Sequence, residues 1–167
     1  MGRISFCLLL FSLSLVVQVQ GQSAQDSLET LLRNTRVDTT RARLLYMLAN
    51  GYLHVRPGRT DTLANELMAL ARVTRNGKAL GQAMNCKGNV EPDHATALSY
   101  FRRALVVCDS VGDKECMAVA YQGIGNCRRW QGDKKEALSA SFAALRLFEE
   151  IGATKGIANQ YANIGNL

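Results

Sequence analysis

The sequence predicts an all-α fold in which helix hairpins stack side by side into a solenoid. Three observations predict it. Of 167 residues, 47% are hydrophobic, only 7% are aromatic and 2 are proline, and alternating Val/Ile/Thr runs are missing. A segment also recurs: Ala118-Val119-Ala120-Tyr121-Gln122-Gly123-Ile124-Gly125-Asn126 matches Ala158 to Asn166, with Ala, Tyr, Ile, Gly and Asn coinciding at an offset of 40. Looser copies end at Ala49-Asn50 and Gly88-Asn89. Finally, each of the first three copies is followed by small residues at helical spacing, which lets a second helix approach closely. Self-similarity at such a period is the signature of a repeat architecture. A collagen, a transmembrane bundle, a disulfide knot and a β-sandwich do not fit this composition.

The chain opens on Met1-Gly2-Arg3, an apolar stretch from Ile4 to Val17, and Val19-Gln20-Gly21 before Gln22. A basic start, a short apolar core and a small-residue exit predict a signal peptide over 1–21 and an exported protein, periplasmic or extracellular. An uncleaved anchor helix is the alternative, although the apolar core is short for a bilayer. Arg3 is the one charge in this leader, so its removal leaves 19 Lys+Arg against 14 Asp+Glu, a net charge of +5. That charge forms no block. Arg128-Arg129-Trp130 reads as a solvated helix face, and no nucleic-acid partner is expected.

Residues 22–40 form a leading segment, with a helix expected over 26–34 that covers the first unit. The solenoid then runs over 41–167, in units of about 41–77, 78–114 and 115–154 and a truncated unit over 155–167. In the second helices, Ala64, Met68 and Ala71, then Ala97, Phe101 and Ala104, then Ala137, Ser141 and Ala144 stand at i, i+4 and i+7. Leu98, Leu105, Leu138 and Leu145 widen the stripe. Tyr121 and Tyr161 are expected in the core between helices. Gly112-Asp113, Gly132-Asp133 and Gly152 mark turns, with the aspartates placed to cap the helix that follows. Pro92 predicts that the helix before it ends at Asn89 or Val90. Arg56-Pro57-Gly58-Arg59 lengthens the turn of the first unit.

Tyr121-x-x-Ile124-Gly125, then Gly132-Asp133, then Ala137, Ser141 and Ala144 resemble a tetratricopeptide repeat (TPR) of the longer, roughly 40-residue branch. The resemblance covers residues 40–167 and implies a right-handed superhelix. Gly125, Gly88, Gly165 and Ala49 match the small residue of helix A, and the alanines above match its partners on helix B. The period exceeds the usual 34, and the closing proline of each unit is missing.

Four cysteines follow the leader: Cys86, Cys108, Cys116 and Cys127. Without a CxxC pair they predict no structural zinc, and no metal or cofactor is expected. Buried free thiols are the favoured reading over a Cys108–Cys116 bridge.

No constellation supports catalysis. His54 and His94 lie beside turns, Glu149 and Glu150 are adjacent and so diverge on a helix, and Gly123-x-Gly125 sits within a helix. A hydrolase with an irregular site near His94 is the weak competing class. Protein or extended-peptide binding is better supported. Asn50, Asn89, Asn126 and Asn166 each follow the small helix-A residue, a position that the resemblance places in the concave groove. A carboxamide can pair with both main-chain groups of an extended peptide, as kinesin light chain and related long-repeat proteins do. Equally, each Asn could bond a neighbouring helix and brace the stack. Arg43, Tyr46, Gln82, Asn85, Val119, Gln122 and Arg129 share the expected groove face, which is polar and mildly basic. Leader, repeats and abrupt end together resemble the sensory region of a larger bacterial regulator. Its membrane tether and its output domain (histidine kinase, cyclase or transcriptional regulator) would lie beyond Leu167.

Overall fold

Four helices begin at an Asn or Asp whose side-chain oxygen accepts the backbone N–H three residues on: Asn76 from Ala79, Asp93 from Thr96, Asp113 from Cys116 and Asp133 from Glu136, at 2.9–3.1 Å. A computed structural model describes residues 24–167. The leader expected over 1–21, with Cys7, lies outside the described residues. The elements are α1 (24–34), α2 (Asp38–Tyr52), α3 (Pro57–Val73), α4 (Gly77–Val90), α5 (His94–Ser110), α6 (Lys114–Trp130), α7 (Lys134–Glu150) and α8 (Thr154–Gly165). The described residues contain no strand.

One turn chemistry joins most of them. Gly112, Gly132 and Gly152 have φ of 66°, 79° and 67°, the left-handed conformation that closes a helix. The next residue's N–H reaches back to the carbonyls of Cys108, Arg128 and Phe148 at 2.9–3.0 Å. After α3 the same place is held by Arg75, at φ 53°, with Asn76 N–H bonded to the Ala71 carbonyl at 2.9 Å. Three connections differ: Thr35-Arg36-Val37 separates α1 from α2, Pro57 opens α3, and Glu91-Pro92-Asp93 separates α4 from α5.

Consecutive helices pack antiparallel as hairpins α2/α3, α4/α5 and α6/α7, with α8 against α7. The sequence register is visible in the packing. Ala64, Ala71, Ala97, Ala104, Ala137 and Ala144 are all buried. A Cβ placed on Gly125 would lie 3.3 Å from the Ala137 carbonyl and 3.1 Å from Ser141 Oγ. Thr60 O–H donates to the Ala49 carbonyl at 2.9 Å in the first hairpin. Helix α1 closes the near end: Leu32 joins the core of α2 and α3, and Glu29 accepts from Tyr52 O–H and Arg59 at 3.1 and 3.2 Å.

Helix α2 also touches α4, and α4 touches α6, whereas α3, α5 and α7 make no comparable contact with one another. The stack therefore curls with α2, α4 and α6 on its inner wall. This is a TPR-type arrangement of helical repeats. No described helix is long and apolar enough to cross a membrane.

Two expectations are corrected. Cys108 and Cys116 form a disulfide, with Cα atoms 5.7 Å apart; only Cys86 and Cys127, among the described cysteines, are free and buried. The turn at Gly112 reverses the chain, so the end of α5 and the start of α6 face each other at this level. Earlier and later junctions fill the same place with Ala71 and Ala79, both buried, and with Phe148 against Gly156. The second correction concerns Tyr161, which is 59% exposed. Tyr121 packs between α5, α6 and α7, but α8 has only α7 beside it and the tyrosine lies on its uncovered side.

Candidate functional site

Helix α4 ends one residue after Asn89, because Pro92 cannot continue it, whereas α6 runs four residues beyond Asn126. The last turn of α6 therefore stands past the end of α4, roughly 4–5 Å of overhang at 1.5 Å per residue. A cavity of about 150 Å³ opens there between the ends of α4 and α6 and the start of α5. Its floor is apolar. Phe101 lies against both Gly88 and Gly123, and a Cβ on Gly88 would come within 2.7 Å of the ring. The carboxamides of Asn89 and Asn126 line it, with Glu91, His94 and Trp130 at the rim. The His94 and Trp130 rings stack with centroids 5.7 Å apart, although Trp130 is 68% exposed.

Neither Asn89 nor Asn126 makes a side-chain hydrogen bond within the described protein, and Asn89 is exposed. They have free donors and acceptors to offer. The other asparagines divide. Asn50 is exposed and reaches the Tyr46 hydroxyl one turn earlier, so part of its capacity serves its own helix. Asn166 is exposed at the C-cap of α8. Asn85 is a correction: it is 2% exposed and donates to the Cys116 carbonyl at 3.0 Å, so it braces α4 against α6 and does not face the groove.

A second cavity, of about 170 Å³, lies between α2 and α4 and gathers Arg43, Tyr46 and Gln82 with Asn76 and Lys78. Burial pushes the Tyr46 phenol up to about 12, against the opposing effect of Asn50, so it stays a neutral donor. Gln122 and Arg129 are half-buried on α6 and line neither cavity. Val119 packs beside α7. A larger opening, about 640 Å³, lies at the other edge of the stack between Val111, Asp113 and Ile151. Its lysines are already paired, Lys78 with Asp113 at 3.2 Å and Lys114 with Glu150 at 2.9 Å, and no expected site residue lines it.

The sequence reading missed His94 and Trp130 as site residues, taking the first for a surface or cap residue and the second for part of a solvated face. The signal that could have found them is the short spacing created by Pro92. In the Arg128-Arg129 pair, Arg128 is not free: its Nε lies 2.8 Å from Glu136.

No protein-family model matches the sequence, and comparison with curated proteins finds no match. Solved structures do match in fold. A Rap protein complexed with Competence and Sporulation Factor superposes with a TM-score of 0.72 at 21% identity, over 90% of this chain and 46% of that one. Aspartyl phosphate phosphatase F from Bacillus subtilis gives 0.67 at 16% identity, over 87% and 42%. A Signal Transduction ATPase with Numerous Domains protein with a tetratricopeptide repeat sensor, from Pyrococcus horikoshii, gives 0.65 at 14%, over 90% and 24%. The fold is therefore that of TPR-type helical repeats. The chain spans less than half the length of each of these neighbours.

Proposed function

We propose that this chain is a non-catalytic scaffold whose inner wall binds an extended segment of a protein or peptide. The observation that carries the reading is the pair of unengaged carboxamides, Asn89 and Asn126, equivalent positions of successive inner helices opening into one cavity. A ladder of amides can pair with main-chain N–H and C=O groups whatever the side chains. The Rap neighbour, complexed with Competence and Sporulation Factor, is a helical-repeat protein with a bound factor and supports the same use of the fold.

Export through a leader over 1–21 is part of this proposal. The Cys108–Cys116 disulfide supports it, because disulfides persist outside the reducing cytoplasm. A sensory role within a larger signalling protein is a second element, supported by the repeat sensor of the Pyrococcus horikoshii neighbour. Any tether or output domain belongs to that proposal.

The binding reading is tested by panning a library of short peptides on the 167-residue chain and following the side-chain amide resonances of Asn89 and Asn126 during titration. Shifts of both, with resonances of α3 and the outer face of α7 unmoved, are expected. Shifts confined to the outer helices would contradict it. The sensory element is tested separately by the mass of the native product after cell fractionation: a much larger membrane-bound band supports it, and a soluble exported band below 18.3 kDa opposes it.

A further inference from the structure

The lining of the α4–α6 cavity differs from the rest of the chain in charge. The protein carries a net +6, yet Glu91 is the only Asp, Glu, Lys or Arg side chain around this cavity. Of the cations nearby, Lys87 pairs with Asp61 and sits over the Tyr100 ring, Arg128 and Arg102 both pair with Glu136, and Arg129 does not line the cavity. Burial pushes the Cys127 thiol up, so it adds no charge at neutral pH.

The end of α4 adds to the same sign. Proline has no N–H, so Pro92 cannot donate to the Gly88 carbonyl four residues back. The Asp93 N–H turns to Glu91 Oε1 at 3.3 Å instead of to the Asn89 carbonyl. The last turn of α4 thus presents the negative end of a helix with carbonyls its own ladder does not use. Beside it stand the Trp130 face, largely exposed and backed by His94, and the side-chain oxygens of Asn89 and Asn126.

We propose that this cavity takes a cationic side chain, arginine or lysine, of the peptide held along the inner wall. The proposal rests on the peptide-binding reading above and deepens it by fixing one residue of the ligand. A carboxylate, an aromatic face and amide oxygens around an apolar floor recognise an extended aliphatic stem ending in a positive group. The α2–α4 cavity differs in sign: no carboxylate lines it, and Arg43 stands in its wall, while Lys78 is paired with Asp113 at 3.2 Å. The difference in sign along the wall sets the register in which a peptide lies.

Trp130 is the only tryptophan of the chain, so its fluorescence reports on this cavity directly. The probes are three capped peptides, acetyl-Ser-Ala-Ser-Ala-X-Ala-Ser-Ala-Ser-amide, with X as arginine, citrulline or glutamate; citrulline keeps the shape of arginine without its charge. The arginine peptide is expected to shift Trp130 emission and to bind at least about fivefold more tightly than its citrulline twin. Glu91→Gln should remove most of that difference. Equal binding of the arginine and citrulline peptides, or a preference for glutamate, overturns the cationic assignment. If Asn89→Ala with Asn126→Ala then still weakens all three peptides, the groove itself stands. If none of the three binds, the groove reading fails and the cation site fails with it.

Discussion

Arg75 occupies a place that glycine holds at the three later turns. Its φ of 53° costs an L-residue roughly 1–2 kcal/mol, because Cβ crowds the following carbonyl. The bonds around it are those of Gly112, Gly132 and Gly152, so the fold imposes the conformation and the residue type does not favour it. Arg75→Gly should stabilise the chain by about 0.5–1 kcal/mol, the gain being reduced by glycine's greater freedom when unfolded. Urea unfolding followed by far-ultraviolet circular dichroism checks this; a loss of stability would show that the Arg75 side chain contributes more than its backbone strain. At the same scale, the sequence identified the turn glycines and their capping aspartates but not Arg75. An arginine carries no turn signal of its own, and the conformation is forced by the helices on either side.

Among elements, the junctions between hairpins do the same packing task with three side-chain pairs. Ala71/Ala79, Cys108/Cys116 and Phe148/Gly156 fill equivalent positions. The first pair shows that two alanines suit this place, so Cys108→Ala with Cys116→Ala removes the cross-link while leaving a tolerated packing. The sequence separation of 8 closes a short loop, and its loss should cost about 2–3 kcal/mol on a chain-entropy account. Urea unfolding of the double variant measures the cost, and an unchanged midpoint would contradict a stabilising role. The disulfide was hard to read from sequence because an eight-residue spacing brings two cysteines together only if a tight turn lies between two helices. Gly112-Asp113 signalled that turn, but the facing of the two helices is a tertiary fact.

The leading helix α1 depends on pH. Partial burial of Glu29 raises its pKa, but hydrogen bonds from Arg59 and Tyr52 outweigh this and hold the carboxyl below its ordinary value of 4.5. A depressed carboxylate stabilises the fold fully above its unfolded value, and the contribution is lost as pH falls through the folded one. Amide exchange over 24–34 should therefore speed up as pH drops below about 4.5 after correction for intrinsic rates, and Glu29→Gln should flatten that response. An identical pH profile in the variant would remove Glu29 from the account.

For the whole molecule, the approximately 40-residue repeat made the fold legible before any coordinates. Period, small-residue register and turn residues agreed with one another, and such agreement across levels specifies a structure. The site was legible in part. The Asn89 and Asn126 spacing pointed to an inner wall, yet Asn85, on the same stripe, turned out to be buried against α6 because neighbouring inner helices touch at that depth. His94 and Trp130 could not be paired from sequence, since their meeting depends on α6 overhanging a helix cut short by Pro92.

The central claim is that Asn89 and Asn126 grip a ligand and do not brace the stack. It is tested most directly by measuring, on one preparation of the Asn89→Ala/Asn126→Ala variant, both the affinity for a peptide selected on the wild-type chain and the free energy of unfolding. With neither carboxamide bonded within the protein, stability should stay within about 0.5 kcal/mol of wild type. Affinity should fall by about 1–3 kcal/mol, for two lost main-chain pairings. Unchanged affinity together with a large loss of stability would contradict the account and make the asparagines structural.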